Sequence, residues 1–194
     1  MILYATMQTF QRYGLKTADQ LSEPMASITR AVLSRDTGDA LLEWGLKLFY
    51  FDGRKCLQAV NFASKFTLFM FDIKKKELED LGDLIAHYLL ELYKDDPDVI
   101  RCLKRMFAGD HYFSVVPLKN RSIIATLNHN QSDFALDGDR FWDYVDGGVL
   151  HTMKINCDIN FNYGATYKAI GRTDYYYPGE LYKELLLARY LNNH

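Results

Sequence analysis

The dipeptide Asp52-Gly53 constrains the fold more than any other feature of the chain. Both residues tolerate left-handed backbone torsions, and they sit between two runs rich in aromatic and β-favouring residues, 46–51 (LKLFYF) and 55–61 (KCLQAVN). That combination is the signature of a tight hairpin. A third run, 67–73 (TLFMFDI), follows a break at Ala63-Ser64-Lys65, so three strands read as an antiparallel meander. Lys74, Lys75 and Lys76 then lead into 77–93. There Leu78, Leu81, Leu84, Ile85, Tyr88, Leu89 and Leu92 recur at helical spacing along one face. Asp96-Pro97 breaks that helix, and 99–107 reads as a second amphipathic helix closed by Gly109.

The flanking segments are weaker in pattern. Residues 2–5 read as a short strand, followed by Thr6 as the cap of a helix over 8–13 that Gly14 ends. Residues 17–39 read as a loop with a helical piece near 27–33. Strands are expected at 112–118, with His111 at their start, and at 122–127, around a Lys119-Asn120 turn. A helix over 138–145 ends at Gly147-Gly148, and the polar run 156–163 (NCDINFNY) reads as loop with a short edge strand. Pro178 opens a last helix, since proline is tolerated in a first helical turn. Strands and helices do not alternate regularly, which points to an α+β class rather than a doubly wound sheet. The expected architecture is a single domain over residues 1–194, an antiparallel sheet with amphipathic helices on one side. In it Leu81, Leu84, Ile85 and Leu89 meet Phe49, Phe51, Phe69 or Phe71.

Composition narrows the functional classes. The chain has 194 residues, 48% hydrophobic, 14% aromatic and 25% charged, which excludes a disordered tail, a collagen or a disulfide mini-scaffold. Lys+Arg 23 against Asp+Glu 25 leaves a formal charge of -2, so no global basic field draws it to nucleic acid or membrane. Cys56, Cys102 and Cys157 are far apart and show no zinc-ligand spacing, as expected of reduced thiols in a cytoplasmic protein. The amino terminus lacks a secretory pattern, and no apolar run approaches the roughly 20 residues of a membrane helix.

The stretch 44–83, WGLKLFYFDGRKCLQAVNFASKFTLFMFDIKKKELEDLGD, resembles a bacterial and phage family known only as a domain of unknown function. In that family a Trp precedes a strand, Arg-Lys-Cys begins the next, Asn ends it, and a Thr-Leu-Phe strand leads into a lysine-rich helix start. Trp44, Arg54, Lys55, Cys56, Asn61, Thr67, Leu68 and Phe69 match that pattern. The opening strand with Thr6, the Leu127-Asn128 step and the Tyr177-Pro178 step are similar too. The chain departs from the pattern in an enlarged segment at 17–39 and in His129-Asn130-Gln131-Ser132, which interrupts a polar turn. The resemblance implies a compact small domain often carried by phages and mobile elements, a context of host regulators and inhibitors. It implies no activity.

Asn128, His129, Asn130 and Asp133 form the densest group of metal-ligating or acid–base types, and Asn128, His129 and Asp133 are the kind a nuclease uses to hold a hard cation or activate water. Turn chemistry explains the same residues without a partner, and no HxxxH or HExxH spacing supports a metal. Cys56 stands beside two cations but has no identifiable base, and no GxSxG, GxxxxGK[ST] or GxGxxG is present. No cofactor or metal is therefore expected. The carboxylates Asp133, Asp137, Asp139, Asp143 and Asp146 form an acidic stretch, read as a solvated face or as a mimic of phosphate spacing.

The opposite charge gathers at Arg54, Lys55, Lys74, Lys75, Lys76, Arg101, Lys104 and Arg105. Antiparallel order brings the start of one strand beside the end of the next, so these residues are expected to share a partner-binding surface, with Tyr175, Tyr176 and Tyr177 offering stacking faces. Together these readings favour a non-enzymatic binding or regulatory protein from a phage or mobile element, acting on a host protein or ribonucleoprotein complex. Blocking a CRISPR effector is one concrete form. The alternatives are a metal-dependent nuclease and an RNA-binding protein, both requiring direct nucleic-acid contact; no membrane partner is expected.

Overall fold

The computed structural model describes residues 1–108, 112–136, 140–166 and 168–191. Its centre is a five-stranded sheet. The hairpin forms as its turn dictates: β2 (Glu43–Phe51) and β3 (Arg54–Asn61) pair antiparallel, with Asp52 at φ 48 and Gly53 at φ 70. β4 (Thr67–Met70) adds antiparallel to β3, completing the meander. The sheet as a whole is mixed, however, which corrects the expectation of an antiparallel one. β1 (Ile2–Ala5) lies beside β2, and β5 (Ser114–Pro117) lies beside β1, both parallel, giving the order β4-β3-β2-β1-β5. Parallel neighbours need long crossovers. Helices α1 (Met7–Tyr13) and α2 (Met25–Asp36) occupy the first crossover. Helices α3 (Leu81–Leu92) and α4 (Pro97–Met106) lie between β4 and β5.

Helices cover both faces rather than one. Two-residue alternation sends Trp44, Leu46, Leu48, Leu57, Ala59, Leu68 and Met70 to one face. There they pack with Leu81, Ile85 and Leu89 of α3, Val99, Cys102 and Leu103 of α4, and Tyr182 and Leu186 of α7 (Pro178–Tyr190). Phe49, Phe51, Phe69 and Phe71 point the other way, into an aromatic cluster with Phe134, Phe141, Tyr144, Ile155 and Ile159. The leucines of α3 and the strand phenylalanines are thus on opposite sides of the sheet, and Leu84 is only half-buried. The helical spacing of α3 and the alternation of these strands are as expected, but both strand faces are apolar, and spacing alone does not say which one a given helix covers.

Two further expectations are overturned. Residues 122–127 belong to helix α5 (Arg121–Gln131), not a strand. Asn120 Oδ1 accepts from the Ser122 and Ile123 amides at 3.0 and 3.2 Å, an N-cap. Ile123, Thr126, Leu127 and Asn130 then form a buried stripe at helical spacing. α5 approaches β2 where Gly45 stands, since a Cβ there would meet Ile123 Cγ2 at 2.2 Å. Residues 156–163 are not an edge strand either. They continue α6 (Thr152–Cys157) into a π-helical turn, Asp158–Asn162.

That helix seals the edge of the sheet. Asn156 Oδ1 accepts from Phe69 N at 2.7 Å and its Nδ2 donates to Phe69 O at 3.0 Å. Asn160 does the same for Thr67, at 2.8 and 2.6 Å. Spaced by four residues, the two side chains lie on one helix face and their amides take the place of a neighbouring strand. The opposite edge is blunted differently. Ser114 N donates to Met1 O and Leu118 N to Ala5 O, so it is the backbone amide positions of 115 and 117 that face away from β1, and Pro117 has no N–H to offer.

The expected 138–145 helix and the Asp137-Gly138-Asp139 turn fall partly outside the described residues. Arg140–Tyr144 is a short 3-10 helix, and Gly147-Gly148 turns a small hairpin of β6 (Val145–Asp146) and β7 (Val149–Leu150). Gly109 and His111 also lie outside the described residues. The expected helix over 77–93 begins as a separate 3-10 turn, Lys75–Leu78, before α3, and the helical piece near 27–33 widens to the whole of α2. α1 starts at its expected Thr6 cap and stops at Gly14, at φ 64. No helix among the described residues is long and apolar enough to cross a membrane.

Candidate functional site

The end of α1 opens onto a concavity. Gly14 turns the chain away from the helix, and Leu15 and Lys16 follow it along the surface. α2 contributes Met25 and Thr29, the 3-10 turn contributes Lys75 and Leu78 with Glu79, Asp80 and Asp83 beyond it, and the entry to β5 contributes Tyr112, Phe113 and Val115. Together they enclose a groove of about 890 Å³. Met25 and Tyr112, 45% and 43% exposed, are apolar side chains left facing water there. Tyr13 forms part of the floor; its hydroxyl donates to Ile73 O at 3.3 Å, and burial pushes its phenol far above the usual range.

Several of the basic residues have a local electrostatic task. The C-terminal end of a helix is electronegative, so cations gather there. Lys55 Nζ donates to Arg12 O at 3.4 Å and lies 5.4 Å from the centre of the Tyr13 ring. A Cβ on Gly14 would stand 3.6 Å from Lys75 Nζ. Ile73 N bonds Lys55 O at 2.8 Å, so the start of β3 and the end of the next strand are adjacent, as antiparallel order requires. Arg54 pairs with Asp72 at 3.1 Å, and the Lys74 amide donates to Glu77 at 2.7 Å. Lys76 is exposed on the 3-10 turn.

Arg101, Lys104 and Arg105 line a different, shallow depression with Pro97, Ile100 and Ala108, which shares no lining residue with the groove. Arg101 pairs with Asp98 at 2.5 Å, and Arg105 donates to Tyr190 O at 2.8 Å, at the end of α7. The eight basic residues therefore do not form one surface: Lys55 and Lys75 stand at the end of α1, Arg101, Lys104 and Arg105 along α4, and Arg54 lines a separate pocket with Phe71, Asp72 and Trp142.

The nuclease candidates all lie on α5 or its continuation. Asn128 Oδ1 accepts from Lys47 Nζ at 2.7 Å, while His129 Nδ1 bonds Asp133 Oδ2 at 2.7 Å, four residues on. Among the described residues no three His, Cys, Asp or Glu side chains converge as a metal site. Cys56 is buried in the aromatic cluster, and burial pushes its thiol up, away from nucleophilic thiolate character. Of the three consecutive tyrosines, Tyr175 and Tyr177 are exposed and in edge contact at 5.6 Å, whereas Tyr176 is buried against Ala165. Asp143 and Asp146 are exposed; Asp137 and Asp139 lie outside the described residues.

Comparison with known families adds one decisive match. The family model described as a domain of unknown function, DUF6933, covers residues 2–181. The chain belongs to the DUF6933 family. No curated protein matches it significantly. Within this DUF6933 chain, the residues that carry the resemblance are mostly scaffold: Trp44, Cys56, Asn61, Thr67, Leu68 and Phe69 are buried. Asn61 is the clearest case. Its Nδ2 donates to the carbonyls of Ala40, Leu41 and Glu43, and its Oδ1 accepts from the amides of Ala63 and Ser64, clamping the loop before β2 onto the β3–β4 turn. The groove draws on other segments, including Leu21, Met25 and Thr29 before β2.

Proposed function

We propose that this DUF6933 protein is a non-enzymatic binding protein that modulates or inhibits a host protein complex, and that it docks through the groove between α1, α2 and β5. The groove itself carries the reading. Met25 and Tyr112 supply apolar anchors, Lys16 and Lys75 supply cations, and Glu79, Asp80 and Asp83 supply carboxylates on the same rim. Aromatic and long apolar side chains in a concave site suit a protein segment with its own apolar anchor and mixed charges. The three carboxylates disfavour a nucleic-acid backbone there, because electrostatic binding to phosphates needs converging cations. A phage or mobile-element origin, a cytoplasmic site of action and an anti-defence target belong to this proposal through the family resemblance.

A photo-crosslinking amino acid placed at Tyr112 in host cells tests the reading, with Val149, exposed at the tip of the small hairpin, as the control position. Discrete protein adducts from position 112 and none from 149 are expected. Absence of adducts from 112, together with divalent-cation-dependent cleavage of labelled RNA or DNA that a chelator stops, overturns it in favour of the nuclease alternative.

A further inference from the structure

The turn between β3 and β4 holds Lys65 at φ 64, a left-handed conformation that Gly and Asn adopt readily and a lysine does not. The turn is fixed by hydrogen bonds from Asn61 N to Phe66 O at 2.8 Å and from Lys65 N to Asn61 O at 3.1 Å. Only 5% of Lys65 is exposed. Its ammonium has three protons to donate, and its one hydrogen bond among the described residues goes to Phe62 O at 3.2 Å. No carboxylate among the described residues forms an ion pair with it, and burial pushes its pKa down to about 8. A buried cation without an anion is costly, and it is still mostly charged at neutral pH.

Lys65 also stands at the wall of a cavity of about 200 Å³, with Thr67, Asn130, Asp133, Arg140 and Tyr163, on the α5 side of the sheet, sharing no lining residue with the groove. Arg140 is exposed, a second cation on the same cavity. The Asp133 carboxylate is hydrogen-bonded to His129. Asn130 Nδ2 donates to Thr67 Oγ1 at 2.8 Å, and that hydroxyl donates to Lys65 O at 3.0 Å, so the wall beside Lys65 is polar, while Phe134, Ile159 and Pro178 line the rest. The volume is below the roughly 300–1,000 Å³ of sites for drug-sized ligands and suits a small ion.

We propose that this cavity binds a small oxyanion, inorganic phosphate being the representative, between the Lys65 ammonium and the Arg140 guanidinium. The inference stands independently of the groove and of any partner. Its test is a titration of inorganic phosphate into the full chain carrying ¹³C-labelled lysine, followed at the Lys65 Cε resonance. A saturable shift is expected, with the titration midpoint of Lys65 rising above about 8, while sodium chloride at equal ionic strength leaves the resonance in place. Lys65→Asn suits the left-handed turn, so it keeps the fold, identifies the resonance by its loss and abolishes phosphate binding measured by calorimetry. Arg140→Gln, at an exposed position, weakens that binding about tenfold, the effect of one charge-assisted hydrogen bond. Equal responses to phosphate and chloride, or calorimetric binding retained in Lys65→Asn, would overturn the proposal.

Discussion

Asp36 is 2% exposed, yet it accepts from the Met1 amino group and from Arg35 at 2.6 and 3.1 Å. Burial alone would raise its pKa. The hydrogen bonds from Arg35 and the amino group outweigh that and hold the carboxyl below its ordinary value. A carboxyl depressed in the folded state stabilises the fold above its unfolded pKa, and that contribution fades as pH falls below about 4. Asp36→Asn is expected to cost about 3 kcal/mol in denaturant unfolding at pH 7, because it leaves the Met1 ammonium buried without its counter-charge. Below pH 4 the gap between parent and variant should narrow; a constant gap would mean that the carboxylate's charge contributes nothing. Sequence patterning could not reveal this pair, since its partners are 35 residues apart and neither belongs to a periodic run. It did reveal Thr6, Gly14 and Asp52-Gly53, whose backbone roles are set by their immediate neighbours.

The same division holds for whole elements. The hairpin, the meander, α1, α4 and α7 are each specified locally, by a turn, a cap or a proline, and they were legible. α5 was not, because Ser-Ile-Ile-Ala-Thr-Leu has strand-like side chains, and the Asn120 cap and the contact with Gly45 decide the matter. α6 was missed because Asn156 and Asn160 look like loop residues until the bare edge of β4 is beside them. Asn156→Ala should therefore leave the Phe69 amide and carbonyl unpaired inside the protein, a loss of about 2–4 kcal/mol measured by urea unfolding. Loss below about 0.5 kcal/mol would show that the asparagine is not sealing the edge.

Across the whole molecule, the family motif builds a sheet buried on both faces, and the groove is assembled at its margin from four stretches: 13–16, 21–29, 75–83 and 112–115. No window of sequence contains enough of it to be recognised, whereas the basic residues stand out because they are clustered in sequence, although two of them, Lys55 and Arg105, bond helix-end carbonyls. Placing β1 between β2 and β5 is what sets α1, α2 and β5 around that space, and short local patterns carry no information on strand order. The central claim is that this margin, not the motif, binds the partner. The direct measurement is the dissociation constant of the partner captured from position 112, for the parent and for Met25→Glu/Tyr112→Ala. Both residues are exposed rather than part of the core, so the double variant should unfold within about 1 kcal/mol of the parent. Its affinity should fall at least about tenfold, the loss of an apolar anchor from an interface. Unchanged affinity in a stably folded double variant would contradict the account.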